Sequence, residues 1–172
     1  DADWMAEGET FTADVTYGVD DGNGGSDSAT LTVTVTGVND TPDALDDSGS
    51  TDEATAVGGN VLANGSDPEL SGGLTVSAVN GDSAAVGQEV LLDSGALLTL
   101  GADGTYSYDP NGAFDALNDG ETAADSFTYQ VSDGHGGFDT ATVTLTIDGI
   151  GGDTGPEEGD DHFGTFSNKK GT

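Results

Sequence analysis

Carboxylates are the side chains best placed to do chemistry in this sequence. The chain of 172 residues carries 33 acidic residues against two basic ones, Lys169 and Lys170, and its formal charge is −31. Carboxylate oxygens are hard ligands, and calcium takes about six to eight oxygens in its coordination shell. A large negative charge can instead keep a protein soluble at high salt, or it can accompany disorder. Composition leaves these three interpretations open.

Other reactive residues lack the spacing that their chemistry requires. The two histidines are His135 and His162, and neither has the spacing of a zinc pair. The sequence contains no G-x-S-x-G nucleophile elbow, no phosphate-binding P-loop and no G-x-G-x-x-G after a strand. Acids are too numerous for any pair to stand out as a glycosidase dyad. We therefore predict that the protein is not an enzyme.

The charge also excludes two classes of partner. Nucleic acids and anionic membrane surfaces require a patch of lysine and arginine, which this sequence does not provide. No stretch approaches the roughly 20 apolar residues of a membrane-spanning helix. We expect neither nucleic-acid binding nor membrane insertion.

An internal repeat organises the chain. Shifted by 112 residues, residues 8–38 align without a gap on residues 120–150, and 16 of the 31 positions are identical. The period matches the size of one small β domain. We predict that residues 1–40 are the C-terminal part of one repeat and that residues 41–149 form a complete one. Residues 150–172 lack alternation and are predicted to be a linker or tail. Because the chain begins at Asp1, we expect a segment of a longer protein.

Both copies of the repeated stretch have the pattern of a β-hairpin. Apolar residues alternate with threonines on either side of a glycine-rich turn, which places one set on the core face. Further short strands are predicted at 43–47, 56–63, 73–79, 86–92, 96–100 and 104–109, separated by Asn-Gly and Asp-Gly turns. Seven or eight short strands in about 105 residues are typical of a β-sandwich. The aromatic core is predicted to consist of Tyr106, Tyr108, Phe114, Phe127 and Tyr129.

Four segments carry a resemblance to a known family: TGVNDTPDALDDSGSTDE, GGNVLANGSDPELSGGLTVSAVNG, GTYSYDPNGAFDAL and DSFTYQVSDGHGGFDTATVTLTIDG. Together they resemble the cadherin-like, VCBS-type immunoglobulin repeats of large secreted bacterial surface adhesins. The resemblance covers residues 1–149. It implies an all-β, Greek-key immunoglobulin/cadherin-like sandwich in tandem repeats, which serve as extenders and bind Ca²⁺ at their junctions.

The resemblance also implies a set of calcium ligands. In such arrays an Asn-Asp pair followed by proline forms the linker between repeats, here Asn39, Asp40 and Pro42. An acidic pair on a loop at the same end of the next domain corresponds to Asp67 and Glu69, although Gly65 stands where many relatives have another acid.

Three further acids complete this implied set. Asp133 precedes the last hairpin turn, and Asp21 is its counterpart in the first copy. Glu53 resembles the acid that serves the junction at the far end, where Gly151-Gly152-Asp153 departs from the Asn-Asp pattern. The alternative for Asp21, Asp133 and the linker pair is a structural role, because an aspartate in a glycine-rich turn often caps backbone amides. The pair Asp46-Asp47 is expected to be solvated charge.

These observations lead to one leading functional hypothesis and two alternatives. The first is an extender repeat of a calcium-dependent surface adhesin or biofilm matrix protein, exported by type I secretion, with neighbouring repeats as its partners. The second is a carbohydrate-binding module, for which Trp4 is the single tryptophan. The third is a subunit of an extracellular filament, in which another chain completes the strands of residues 9–37.

Overall fold

The computed structural model describes residues 4–69 and 73–151, and these ranges form a hairpin followed by a β-sandwich. In chain order the strands are β1 (Thr10–Asp20), β2 (Ser26–Thr36), β3 (Asp47–Asp52), β4 (Val57–Asn60), β5 (Thr75–Val79), β6 (Glu89–Leu91), β7 (Leu97–Leu100), β8 (Thr105–Asp109), β9 (Thr122–Ser132) and β10 (Phe138–Asp148). One turn of 3₁₀ helix spans Ser83–Ala85. No helix of the described ranges has the length and apolar character needed to cross a membrane.

Two four-stranded sheets make the sandwich. One has the order β3-β10-β9-β5 and the other β4-β8-β7-β6. The pairings are antiparallel except that β3 runs parallel to β10. The long strands β9 and β10 form the centre of their sheet, so the turn between them and the end of β10 mark opposite ends of the domain.

The core lies between these sheets and follows the alternation of the strands. Phe127, Tyr129 and Val131 of β9 are buried, as are Val143, Leu145 and Ile147 of β10. Leu98, Leu100 and Tyr108 are buried on the opposite sheet. Burial of such side chains stabilises the fold by about 1.5–3 kcal/mol each.

Buried hydroxyls in this core find acceptors. The Oη of Tyr129 lies 2.8 Å from the carbonyl oxygen of Leu45, and the Oη of Tyr108 donates to Asp125 at 2.8 Å. Burial raises the pKa of both phenols far above the ordinary value, and the neighbouring carboxylates add to this effect. Of the five predicted core aromatics, Tyr108, Phe127 and Tyr129 are buried, whereas Tyr106 and Phe114 are partly buried at the margin.

The predicted all-β sandwich is confirmed, but one predicted strand is wrong. Residues 43–47 were expected to form the first strand of the sandwich, and the first strand instead spans Asp47–Asp52. Its sequence, DSGSTD, has no apolar residue and therefore no alternation that could reveal it. Pairing with β10 forms it, and Gly49 fits there because a Cβ would lie 3.0 Å from the Leu145 side chain.

The hairpin of β1 and β2 differs from its repeat counterpart in burial. The two strands pair over 11 residues each in the same register as β9 and β10. All of their residues are exposed in the structure. The apolar face expected to be a core face is therefore open to solvent, and Val33 is 44% exposed where its counterpart Leu145 is 0% exposed.

Candidate metal centre

Three segments that are distant in sequence meet at one end of the sandwich. They are the linker after β2 (39–44), the loop after β4 (66–69) and the turn between β9 and β10 (133–137). Backbone hydrogen bonds between Asp43 and Ser66, at 2.8 and 3.0 Å, join the linker to the loop. The amide of Ala44 donates to Asp139 at 2.8 Å and joins the linker to β10. These bonds hold the acidic residues of the three segments near one another.

Asp133 organises the turn on which it lies. Its Oδ1 accepts hydrogen bonds from the backbone amides of His135 at 2.7 Å and Gly137 at 3.0 Å. The side chain is 3% exposed. A Cβ on Gly137 would lie 2.1 Å from Asp133 Oδ2 and 2.9 Å from Pro42 Cδ, so the turn closes around the carboxylate only because this residue is glycine.

The linker contacts the other two segments through Asn39 and Asp40. The Nδ2 of Asn39 donates to Asp133 Oδ2 at 2.8 Å and to the carbonyl oxygen of Asp40 at 2.9 Å. The backbone amide of Asp40 donates to Glu69 Oε1 in a short hydrogen bond. Thus the Asn-Asp pair contacts one acid of the turn and one of the loop.

Glu69 is buried, and one of its carboxylate oxygens has no hydrogen-bond partner among the described residues. The side chain is 4% exposed, and the oxygen concerned is Oε2. Its backbone amide donates to Asp67 Oδ1 at 3.2 Å, which places the two acids side by side. We call Asn39, Asp40, Asp67, Glu69 and Asp133 the junction cluster. An unpaired buried carboxylate oxygen is unfavourable without a counter-ion or donor.

The acids of the junction cluster differ in protonation tendency. Burial raises the pKa of Asp67, and the carboxylates of Glu69 and Asp133 raise it further. The amide of Asp40 lowers the pKa of Glu69. Burial acts to raise the pKa of Asp133, but hydrogen bonds from Asn39, His135 and Gly137 outweigh it, and the pKa lies below its ordinary value. The cluster therefore holds negative charge at neutral pH.

The donor set fits a hard cation. The ranges 4–69 and 73–151 contain no lysine or arginine, because both basic residues lie in the tail, so these ranges supply no strongly basic side chain to neutralise the cluster. Carboxylate and amide oxygens are the ligands that calcium prefers. Within the same ranges, no three His, Cys, Asp or Glu side chains converge in a geometry ready to hold a metal. The amide groups of Asn39 and Asp40 now donate hydrogen bonds to Asp133 and Glu69. A cation could bind these carboxylates only after the amide groups had moved away from them.

Asp21 occupies the equivalent turn of the first hairpin but has different neighbours. Its Oδ1 accepts from the amides of Asn23 at 2.8 Å and Gly25 at 2.9 Å, and these bonds lower its pKa. The side chain is exposed, and among the described residues its hydrogen bonds stay within its own turn. The structure does not bring Asp21 to the junction cluster.

Glu53 lies at the opposite end of the sandwich. It follows β3, and its backbone amide donates to the carbonyl oxygen of Asp148 at the end of β10. The side chain is 8% exposed and its Oε2 has no partner among the described residues. The length of β10 separates it from Asp133, so it does not belong to the junction cluster. The tail from residue 152 lies outside the described residues.

The structure corrects one expectation and adds residues that the sequence did not single out. Asp46 and Asp47 are not merely solvated charge, because Asp46 Oδ1 accepts from the amide of Thr142 at 2.8 Å and Asp47 Oδ1 accepts from Asn64 at 3.1 Å. Burial raises the pKa of Asp47. Asp139 and Ser66 also hold the linker. An acid at or next to the start of a strand gives no local signal of such long-range bonds.

Residues 39–149 match the family of bacterial cadherin-like domains. The chain belongs to this family. The match begins at Asn39, the first residue of the linker, and ends just after β10, so it contains all the residues of the junction cluster and both sheets of the sandwich. The family and the structure agree on an all-β sandwich.

A curated relative of the chain is the calcium-binding lectin RapA2 of Rhizobium johnstonii. The two sequences are 35% identical over 154 residues, which cover 84% of this chain and 63% of the relative. This chain therefore spans less than two thirds of the relative's length. Neither the family description nor the relative's name indicates a catalytic activity.

Proposed function

We propose that this chain is a calcium-dependent repeat of an extracellular bacterial adhesin and that Ca²⁺ binds at the junction cluster. The observation that carries the proposal is the buried Glu69. Its Oε2 has no hydrogen-bond partner among the described residues and lies in a group of acids bridged to the linker. The bacterial cadherin-like family and a relative named as a calcium-binding lectin support an adhesion-type, extracellular role.

Calcium would replace the internal hydrogen bonds of the cluster. Carboxylate oxygens of Asp67, Glu69 and Asp133 supply the charge, and the Asn39 amide turns so that Oδ1 replaces Nδ2. A bound cation would neutralise repulsion among the three acids and attach the linker to the sandwich. The angle between this repeat and a preceding segment would then become less variable. A fixed angle between neighbouring repeats would keep an array of such repeats extended.

Thermal unfolding with and without calcium tests this proposal. A cation that binds only the folded state stabilises it by about 2.7 kcal/mol at a hundredfold excess over its dissociation constant. Circular dichroism in EDTA, in calcium and in magnesium at fixed ionic strength measures the shift. A calcium-specific rise in Tm supports the cluster, and equal curves in the three conditions would reject it.

We further propose that residues 1–40 are the last part of a preceding repeat. The exposed hairpin matches β9 and β10 in sequence and register, and its apolar face corresponds to a face that the second sheet covers in the complete repeat. Tandem repeats of this kind suit an extender in a surface or biofilm protein, with neighbouring repeats as partners. Type I secretion is the export route that we propose for such an array.

A second candidate function is carbohydrate binding, which the lectin relative favours. Trp4 is 56% exposed but lies before the hairpin, outside the family match. A glycan array on the wild-type chain and Trp4→Ala separates these functions. Binding that Trp4→Ala retains would direct attention to the sandwich, and the absence of binding would remove this candidate.

A third candidate is a filament assembled by strand complementation. Within the part of the chain that the structure describes, both strands of the hairpin have an unpaired edge, and Val15, Tyr17 and Leu31 are exposed on one face. Exposed edges pair readily with other chains. Light scattering over a range of concentrations tests this candidate, since a monomer at high concentration excludes it.

A further inference from the structure

The outward face of β9 and β10 carries a compact group of polar side chains. Thr128 lies directly opposite Thr142, and Gln130 lies opposite Thr140. In an antiparallel pair, opposite side chains are about 4.5–5.5 Å apart at Cβ. The four side chains thus form a square on two rigid central strands, away from the hydrophobic core.

A cavity of about 270 Å³ lies on this face. Ala78 and Gly81 line it together with the four polar residues. Ala78 is 6% exposed yet lies outside the hydrophobic core cluster, because β5 places it on the outer side of the sheet opposite Gln130. Asn80 and Gly81 both have positive φ, at 48° and 81°, and the tight turn that they form borders the cavity.

The polar groups are already oriented by neighbours. The hydroxyl of Ser77 lies 3.1 Å from Gln130 Oε1 and 3.2 Å from the Gln130 carbonyl oxygen, and its single proton is shared between these acceptors. In this orientation the Nε2 amide of Gln130 is available as a donor. The Oδ1 of Asn80 accepts from the Thr128 backbone amide at 2.8 Å and fixes the turn against β9. Thr140 and Thr142 contribute hydroxyls, which both donate and accept.

The described residues that line the cavity include no Asp, Glu, His, Lys or Arg, although the chain carries a charge of −31. Tyr129 also lines it, and burial raises the pKa of this phenol far above its ordinary value, so the phenol is neutral. Asp46 adjoins the cavity, but its Oδ1 accepts from the backbone amide of Thr142. A surface this acidic repels polyanions, while hydroxyl and amide groups match the hydroxyls of a sugar. The cavity is large enough for a single sugar ring and open to a longer chain.

We propose that this cavity binds a neutral saccharide through Thr128, Gln130, Thr140 and Thr142. The proposal rests on the carbohydrate-binding candidate function and assigns its site to the outer face of the sandwich rather than to Trp4 or the junction cluster.

The first hairpin provides an internal comparison. Its Thr16 and Thr30 occupy the positions of Thr128 and Thr142, and their hydroxyl oxygens are 3.3 Å apart. Gly18 replaces Gln130, so the amide donor is absent. We therefore expect saccharide binding at the sandwich and not at the hairpin.

Titration with neutral oligosaccharides tests the site. The probes are gluco-, manno- and galacto-oligosaccharides of two to six sugars. Binding is detected in ¹⁵N–¹H correlation spectra of the full chain. We expect shifts confined to amides of residues 77–81, 128–130 and 140–142. The double variant Thr140→Val/Thr142→Val removes two hydroxyls while keeping β-branched side chains, and we expect about a tenfold loss of affinity from two lost hydrogen bonds.

The control is Thr144→Val, which removes an outward hydroxyl of β10 that does not line the cavity. We expect it to bind like the wild type. Equal binding by the double variant, or shifts elsewhere on the sandwich, would overturn this site and leave the carbohydrate-binding function standing. If none of the neutral probes bound, or if oligogalacturonate bound more tightly than all of them, the neutral-saccharide assignment would be wrong. The rise in Tm with calcium, measured on the same variants, tests the proposed calcium site of the junction cluster independently of saccharide binding.

Discussion

The side-chain amide of Asn39 donates to the carboxylate of Asp133 at 2.8 Å, across 94 positions of the chain. One residue begins the linker and the other begins the last hairpin turn of the sandwich. Their contact couples the linker to β9 and β10, the two central strands of one sheet. A change in the charge or coordination of Asp133 must therefore affect the position of the linker.

Asp133→Asn is expected to remove most of the stabilisation by calcium. The asparagine retains an oxygen that accepts from His135 and Gly137, so the turn is kept, but the charge and the bond from Asn39 are lost. Thermal unfolding in EDTA and in calcium gives the measurement. We expect the calcium-induced rise in Tm, several degrees for each kcal/mol in a domain of this size, to be largely abolished.

The matched control for this variant is Asp21→Asn. Asp21 makes the same bonds within its turn but has none from the linker. We expect Asp21→Asn to keep the wild-type calcium response. If the two variants lost the response equally, calcium would be binding to glycine-rich turns rather than to the junction cluster.

Asp67→Asn is expected to have opposite effects with and without calcium. Burial and the adjacent acids raise the pKa of Asp67 in the folded state. When a carboxyl group has a higher pKa in the folded state than in the unfolded chain, the folded state binds the proton more tightly. The free energy of unfolding therefore falls as the pH rises from the pKa of the unfolded chain through the pKa of the folded state. In EDTA at pH 7 the variant is therefore expected to be more stable than the wild type, and near pH 3 the two are expected to converge.

Calcium at pH 7 is expected to reverse this order, because the wild type gains a ligand that the variant lacks. Urea denaturation at several pH values, with EDTA or calcium, measures both effects. Asp93→Asn removes the same charge from the exposed loop between β6 and β7 and serves as the control. A similar gain from Asp93→Asn in EDTA would assign the effect to net charge alone.

Gly137→Ala is expected to distort the junction cluster. The added Cβ would collide with Asp133 Oδ2 and approach Pro42. Overpacking of this kind costs about 1–3 kcal/mol, and the displaced carboxylate would also weaken the calcium response. Gly25→Ala in the first hairpin is the control. Its Cβ would lie 2.6 Å from Asp21 Oδ2, a similar collision within a turn that does not belong to the junction cluster, so the calcium response is expected to stay normal. A variant at Gly137 with normal stability and calcium response would show that the turn adjusts freely.

Matched substitutions in the two hairpins test the assignment of residues 1–40. Leu145→Ala in the sandwich is expected to cost about 2–5 kcal/mol because the side chain is fully buried. Val33→Ala at the equivalent position of the exposed hairpin is expected to change the stability of this chain by less than about 0.5 kcal/mol. Urea denaturation measures both.

In a longer chain that adds a preceding repeat, Val33→Ala is expected to destabilise that repeat by about 0.5–3 kcal/mol, as is usual for substitutions that delete buried groups. If the added repeat left the effect of Val33→Ala unchanged, the hairpin would not belong to its core.

Much of the fold was predictable because the relevant signals are local. Alternation of apolar residues identified β9 and β10, and the glycine-rich turns identified their connection. The strand β3 could not be predicted, because DSGSTD carries no alternation and its position depends on pairing with β10. The resemblance to cadherin-like repeats named the acids of the junction cluster. It assigned Asp21 to the turn of the first copy and Glu53 to the far end of the sandwich, and the structure has them at those positions. Their roles as metal ligands stay predictions.

The amino-acid sequence was sufficient for the charge, the 112-residue repeat and the all-β class, since each depends on composition or on short-range periodicity. Tertiary structure decided which acids are neighbours, which hairpin is covered and where the outer cavity lies. The reason is physical. Asn39, Glu69 and Asp133 meet only because sheet pairing brings three distant loops to one end of the sandwich, and no short-range pattern encodes that distance.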